Sequence, residues 1–224
     1  GSPAQFGIPS SGAGQIFVGS EQGDVFCITP ENGTTLWQRR LGRAVQAPPT
    51  RNNDRLAITT LDGFVYVLHA GSGEVLWGRR VAEGLGSPQV GDGGVFVGAR
   101  RTLFALDWNT GALKWSFQAS SDILTQPVIS GDIVLIGTER GLLYGLRADD
   151  GQKVWEYQAR GAISAAPAAS ADAIYVADRS GMVEALRPDG ASRIWQLEPK
   201  PVTSITATPV LADGRLLFGT SGGA

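Results

Sequence analysis

Five tryptophans recur at near-constant spacing along this chain, and that period limits its fold more than any other feature. Trp37, Trp77, Trp115, Trp155 and Trp195 stand 40, 38, 40 and 40 residues apart. A glycine precedes each by four or five residues: Gly33, Gly73, Gly111, Gly151 and Gly190. A second marker keeps the same period out of phase with the first. Pro9, Pro48, Pro88, Pro127, Pro167 and Pro209 are spaced 39, 40, 39, 40 and 42 residues apart. Two independent markers on one period near 40 indicate a repeat architecture.

The segments between the markers read as strands. Ile16 to Gly19, Val95 to Gly98, Val134 to Gly137 and Ile174 to Ala177 are short apolar runs bounded by Gly, Asp and Ser. No window carries apolar residues at helical spacing for three turns, and 31 glycines among 224 residues punctuate every candidate. Four strands per repeat follow: A after the proline, B and C as the two apolar runs, D with the tryptophan. Each such sheet is apolar on both faces and cannot bury them alone, whereas stacked neighbours bury one another. The sequence therefore predicts an all-β fold, a β-propeller of four-stranded blades with five full repeats plus half of a sixth. One propeller domain is expected over 1–224, with blades at about 7–46, 47–86, 87–125, 126–165 and 166–207 and a half blade at 208–224. The five repeat tryptophans are expected between neighbouring blades as structural side chains, each covering roughly 150–250 Å². The glycines suit C–D turns that need positive φ.

Pro209 to Gly219 is a sixth A–B pair without its C and D strands. Three arrangements remain open: a fragment or open arc of a larger ring, completion by another chain, or closure of five blades with a surplus hairpin. The first is favoured. An open arc exposes sheet edges and apolar faces, so self-association through the incomplete sixth blade is an expected consequence.

Composition narrows the function classes. A net charge of −2 and a pI near 5.5 give no reason to expect nucleic acid. No apolar run approaches the ~18 residues of a membrane span. A single cysteine excludes an internal disulfide and is compatible with an oxidising compartment. The opening Gly-Ser has the look of a cloning remnant, so the absence of a signal peptide carries no information.

The repeat itself is specific. VYVLHAGSGEVLW (65–77), LLYGLRADDGQKVW (142–155) and above all LFALDWNTGALKW (103–115) resemble the pyrroloquinoline-quinone (PQQ)-like propeller repeat. Its usual form is a Gly, an apolar-aromatic strand, Ala-Leu-Asp, a Thr-Gly turn and a Trp. The resemblance covers nearly the whole chain. It implies a superfamily of quinone-dependent dehydrogenases, the outer-membrane assembly lipoprotein of Gram-negative bacteria, and sensor domains of bacterial kinases. The style of this chain is nearest to the assembly lipoprotein and related non-catalytic propellers.

Candidate sites follow from the strand order. Loops joining D to A and B to C share one propeller face, which would carry Arg43, Arg100, Arg101, Arg140, Arg160 and Arg179 with Glu21, Asp62, Glu139 and Asp178 interleaved. Guanidinium groups bind planar anions bidentately, so the face suits a carboxylate-bearing ligand or an acidic peptide; the plainer reading is a solvated rim of compensating ion pairs. Arg43, Arg100, Arg101, Arg140, Arg179 and the extra aromatic Trp108 are the expected partner-binding residues. Trp108 is either an exposed anchor or packing. His69, the one histidine, has no second ligand or base beside it, and Cys27 reads as a small packed hydrophobe. Asp149-Asp150 lacks the ligand run of a calcium loop. Neither a metal site nor a catalytic set is expected. PQQ is admitted by the resemblance, but no recognisable quinone site can be assembled, and the adjacent cysteine pair of the alcohol-dehydrogenase branch is absent.

Three functions compete. The first is a non-catalytic scaffold presenting propeller loops to a protein partner, as in outer-membrane protein assembly, with an extracytoplasmic, periplasmic or outer-membrane-associated location in a bacterium. The second is a ligand-sensing domain of a larger receptor or kinase, with PQQ or another small molecule as ligand. The third, a quinone dehydrogenase fragment, fits least. The scaffold reading is adopted, with a protein partner, no nucleic acid, no direct membrane span and no enzymatic activity.

Overall fold

The computed structural model describes residues 9–12, 14–45, 47–91, 94–190, 192–199, 204–205, 207–212 and 215–220. They form an all-β fold of five four-stranded antiparallel sheets and one two-stranded sheet. The first sheet is β1 (Ser10–Gly12), β2 (Gln15–Gly19), β3 (Asp24–Ile28) and β4 (Thr35–Arg40). The second is β5 (Thr50–Asn52), β6 (Arg55–Thr59), β7 (Phe64–His69) and β8 (Val75–Arg80). The third runs β9 (Gln89–Gly91), β10 (Gly94–Ala99), β11 (Thr102–Leu106) and β12 (Leu113–Gln118). The fourth is β13 (Val128–Ser130), β14 (Ile133–Gly137), β15 (Leu142–Arg147) and β16 (Lys153–Gln158). The fifth is β17 (Ala168–Ala169), β18 (Ile174–Ala177), β19 (Val183–Leu186) and β20 (Arg193–Leu197), followed by the pair β21 (Val210–Ala212) and β22 (Arg215–Leu217). Within each sheet the strands lie in sequence order, the meander expected of a blade. Each first strand begins one or two residues after a repeat proline, where a missing N–H removes no ladder bond.

The residues group into two compact units, Gly1–Ala99 with Phe104–Lys114, and Arg100–Leu103 with Trp115–Ala224. In the first unit, Phe17, Val25 and Cys27 interdigitate with Leu56, Ile58, Leu68 and Ala70 of the second sheet. Ala57, Val65 and Val67, on the opposite face of that sheet, pack with Val90, Val95, Val97 and Leu106. In the second unit, Leu135 and Leu143 pack with Ile174, Val176 and Leu186 around Ile163. Ala177, Val183 and Ile205 then take Leu216 and Phe218 against them. Apolar residues thus line both faces of a sheet because each face meets a different neighbour.

A bulge stands beside Trp37, Trp77, Trp155 and Trp195. Cys27 pairs with Trp37 but Ile28 pairs with Thr35, so Leu36 is the extra residue. The same shift leaves Leu76, Val154 and Ile194 unpaired in their strands. These four extra residues account for much of the exposed aliphatic surface, because a bulged residue leaves the ladder while the strand twists its neighbour inward. The neighbour is the tryptophan. Trp37 lays its indole on Gly73 of the following repeat and donates its Nε1–H to the Ala70 carbonyl at 2.8 Å. Trp77 does the same to Gly111 and the Trp108 carbonyl (3.0 Å), and Trp115 to Gly151 and the Ala148 carbonyl (2.9 Å). The Trp155 ring lies against Gly190. Two residues on, Arg39 and Arg79 donate to the carbonyls of Gly73 and Gly111 at 2.7 and 3.4 Å. In the next repeats that position is aromatic: Phe117 meets Tyr144 edge-on at 5.2 Å, and the Tyr157 hydroxyl donates to Glu184 Oε1 at 2.8 Å.

The turn glycines are therefore constrained twice. Gly151 has a φ of 73°, and a Cβ there would lie 2.5 Å from the Trp115 ring. Gly33 has a φ of 70°, but a Cβ there would meet nothing within 4 Å among the described residues. Gly33→Ala is expected to cost only the left-handed backbone penalty, roughly 1–2 kcal/mol. Gly151→Ala adds displacement of the indole, about 1–3 kcal/mol more. Equilibrium urea unfolding of the two variants checks this; equal losses would mean the ring gives way freely.

Trp195 departs from the other four. Among the described residues it has no following C–D turn to cover, and it stays 40% exposed, touching Tyr175 of its own sheet at 6.0 Å.

Candidate partner-binding loop face

The B–C turns and D–A loops are laced together by backbone hydrogen bonds. In the first unit, the B–C turn closes with Gly23 N–H donating to the Ser20 carbonyl (3.1 Å). The following D–A loop then ties back to that turn through Leu41 N–H to Gly23 O (2.8 Å) and Val45 N–H to Ser20 O (2.9 Å). Its other side accepts Leu61 N–H at the Ala44 carbonyl (3.0 Å), from the next B–C turn. The second unit repeats the scheme. Ile123 N–H donates to Arg100 O and Ile163 N–H to Thr138 O, while Glu139 and Arg179 donate to the carbonyls of Asp122 and Ala162. Each loop is thus held on both sides, which fixes the position of the side chains it projects.

A cleft of about 380 Å³ opens on this face in the first unit, lined by Glu21, Gly42, Arg43, Ala44, Leu61 and Asp62. It combines one guanidinium, two carboxylates and an exposed leucine. The Asp62 carboxylate accepts the Thr60 hydroxyl at 2.7 Å, which orients it.

The arginines divide by what they do. Arg101 is a clamp: its guanidinium donates to the carbonyls of Ala119 (3.3 Å) and Ser120 (2.8 Å), holding the D–A loop. Arg179 donates to Ser164 Oγ at 3.1 Å, and Arg160 pairs with Glu198 at 3.3 Å. The side chains of Arg43, Arg100 and Arg140 are exposed and make no hydrogen bond or ion pair among the described residues. Among the described residues, Arg100 and Asn53 are the non-glycine residues with positive φ, Arg100 at 49°. It stands where a glycine would be easier, on the turn whose sequence lacks the usual x-Gly, and such a conformation costs of order 1–3 kcal/mol.

Trp108 is half-buried against the Val95, Val97 and Leu106 cluster, with the Arg55 guanidinium 5.8 Å from its ring centroid. The structure thus gives it a packing role, with its carbonyl receiving the Trp77 indole. His69 Nδ1 accepts the Ser72 N–H at 3.2 Å and closes its own turn. Cys27 is buried in the first core, and burial pushes its thiol up, with Arg51 opposing. Asp150 is tied to Arg147 and the Gln152 N–H. Among the described residues no three His, Cys, Asp or Glu side chains gather to hold a metal ion.

Two groups matter more than their sequence positions indicate. Asp178 is buried with every oxygen engaged: Oδ1 accepts the N–H groups of Ser180 and Met182 and the Ser180 hydroxyl, and Oδ2 accepts Gly161 N–H at 2.7 Å. It pins a D–A loop to the next B–C turn. Glu184, which stands where the other repeats carry Phe26, Tyr66, Phe104 and Tyr144, is 4% exposed and joins Tyr157 to Arg193 at 2.8 and 2.9 Å. Burial, with the neighbouring Glu184 carboxylate, raises the Tyr157 hydroxyl further. The signal for Glu184 was visible as a break in the aromatic column; nothing in the sequence marked its two partners.

Four-stranded blades, staples between consecutive repeats and a laced loop face define the class: a β-propeller of PQQ-like repeats. The chain belongs to the family described as outer membrane protein assembly factor BamB, whose model matches residues 2–87 and 61–224. It is similar to BamB of Xanthomonas campestris, 28% identical over 149 residues that make up 61% of this chain and 36% of that protein. BamB of Yersinia pestis is 28% identical over 153 residues, 61% of this chain and 38% of that one. The matched stretch thus spans little more than a third of these relatives' length. Among solved structures, the computationally designed Ika8 protein superposes with a TM-score of 0.84 at 18% identity, over 97% of this chain and 69% of that one. BamB from Moraxella catarrhalis gives 0.61 at 19% identity over 98% and 82%. A europium-containing methanol dehydrogenase gives 0.72 at 16% identity over 85% and 50%. At these identities the structures attest the fold alone.

Proposed function

We propose that this chain is a non-catalytic scaffold that presents its B–C and D–A loop face to a protein partner in outer-membrane protein assembly, outside the cytoplasm of a bacterium. The observation that carries this reading is the lacing itself. Loops fixed on both sides hold three uncommitted guanidinium groups, Arg43, Arg100 and Arg140, without the ordering cost that mobile loops would add on binding. The family's description as an outer membrane protein assembly factor supports the setting. The partner surface is acidic, with carboxylates matching the planar donors. No cofactor enters the reading, so adding PQQ is expected to leave the tryptophan fluorescence unchanged; saturable quenching would favour a ligand-sensing role.

Arg100 offers a clean test because its backbone favours glycine. Arg100→Gly combined with Arg140→Glu is expected to leave the fold intact, with the glycine offsetting up to about 1 kcal/mol of backbone strain. Retention of the partner from solubilised outer-membrane fraction on the immobilised chain should weaken roughly tenfold, the scale of one lost charge-assisted hydrogen bond. Arg101 is left unchanged, since its clamp belongs to the fold. Undiminished retention by the folded variant would move the site off this face.

A further inference from the structure

The C–D turns share one hydrogen bond in four consecutive repeats: the side chain just before the turn glycine accepts the backbone N–H two residues ahead of it. Asn32 Oδ1 accepts Thr34 N–H at 3.0 Å, Ser72 Oγ accepts Glu74 N–H at 3.3 Å, Thr110 Oγ1 accepts Ala112 N–H at 3.3 Å, and Asp150 Oδ1 accepts Gln152 N–H at 3.0 Å. Ser72, Thr110 and Asp150 are exposed although an indole of the preceding repeat covers the glycine beside each, so the exposure shared by Asn32 belongs to the position. Only the Asn32 side chain is an amide, an acyl carbon that carries a leaving group.

Three features of this turn favour attack by the Gly33 nitrogen on that carbon. The positive φ of 70° calls for glycine at 33, the residue that shields its own nitrogen least. A side chain bonded to the N–H of residue 34 lies alongside the amide of residue 33. Asn32 Oδ1 also accepts the Thr29 hydroxyl, so two donors meet the oxygen on which charge develops when Cγ is attacked. One bond opposes the attack: Gly33 N–H donates to the Thr29 carbonyl at 3.0 Å and must leave it first.

We propose that Asn32 is a self-modifying site, converted through a cyclic imide to aspartate and isoaspartate. The Gly33 nitrogen bonds to Cγ, the Cγ–Nδ2 bond breaks, and the Gly33 proton leaves with Nδ2 as ammonia. Water then opens the ring at either carbonyl, adding hydroxyl to carbon and hydrogen to nitrogen, with no change of oxidation state. Opening at Cγ leaves an aspartate at position 32, which the turn accommodates, since Asp150 makes the same bond three repeats later. Opening at the backbone carbonyl routes the chain through Cβ and lengthens the turn.

Incubating the folded chain in mildly alkaline buffer and mapping its peptides by mass spectrometry tests this. Asn32 is expected to exchange its NH₂ for OH, while Asn52, Asn53 and Asn109, each followed by a residue other than glycine, keep theirs. Methyl transfer by an isoaspartyl methyltransferase reports the lengthened product. Thr29→Val keeps the side-chain shape without the hydroxyl and should slow conversion roughly tenfold, the rate equivalent of one hydrogen bond to a developing charge. A Thr29 that only steadied the turn would act the other way, since a looser turn releases the Gly33 N–H. Asn32→Asp, which stands for the first product, should keep the wild-type urea midpoint. The proposal falls if Asn32 converts no faster than the other three asparagines, if Thr29→Val converts at or above the wild-type rate, or if Asn32→Asp loses stability.

Discussion

Trp115→Ala is expected to lower the unfolding free energy by about 3–5 kcal/mol, the range for truncating a packed aromatic side chain. Trp115 is 9% exposed, lies on Gly151 and donates to the Ala148 carbonyl at 2.9 Å. The change removes the ring, leaves a void between consecutive repeats and strands a carbonyl acceptor. The same substitution at Trp195 is expected to cost roughly 1–2 kcal/mol, because that ring covers no following turn among the described residues. Urea titration of the two variants beside the wild type gives both numbers. Equal losses would mean that the staple adds nothing beyond what either ring buries within its own sheet.

Asp178→Ala should be about as severe, near 3–5 kcal/mol, for a different reason. The carboxylate is the acceptor for three backbone N–H groups, on Gly161, Ser180 and Met182. Removing it leaves donors without a partner, at roughly 1–3 kcal/mol for each that stays buried. Asp178→Asn keeps one acceptor oxygen for the turn but sets an NH₂ against the Gly161 N–H or the turn amides, so an intermediate loss is expected. Hydrogen exchange localises the effect: in Asp178→Ala the Gly161 and Met182 amides should lose protection before those of β14 and β15. Protection unchanged at Gly161 would show that the loop is held without the carboxylate.

How much of this could be seen in the sequence depends on whether a residue answers to its own backbone or to a distant neighbour. Gly33, Gly73, Gly111, Gly151 and Gly190 were legible as turn residues because positive φ is a local demand, and all five have it. The four-stranded meander was legible because proline and tryptophan keep one period and mark opposite ends of the repeat. What the tryptophans touch was not legible, since the glycine and the carbonyl they meet lie 31 to 36 residues away, in the next repeat. The bulge residues Leu36, Leu76, Val154 and Ile194 looked like ordinary strand positions, because a ladder shift depends on how two strands pair. Arg101 illustrates the same limit at the candidate site. By residue type it matched Arg100 and Arg140, and only the geometry of the Ala119 and Ser120 carbonyls separates a loop clamp from an available cation. Trp108 reads from the sequence as either an anchor or packing, and its place beside Val95 and Val97 is visible only in the structure.

Each staple draws its ring from one repeat and its glycine and carbonyl from the next, which has a bearing on how such a gene can change. The four boundaries from Trp37–Gly73 to Trp155–Gly190 present the same ring and glycine, so a duplication or deletion of one whole period among them leaves every remaining pair matched. A change of half a period would part a ring from its turn and expose both. Blade number is therefore the easy variable in such a lineage. The loop face, where Asp178 and Arg101 each occur in one repeat alone, is where copies of the unit are free to become different from one another.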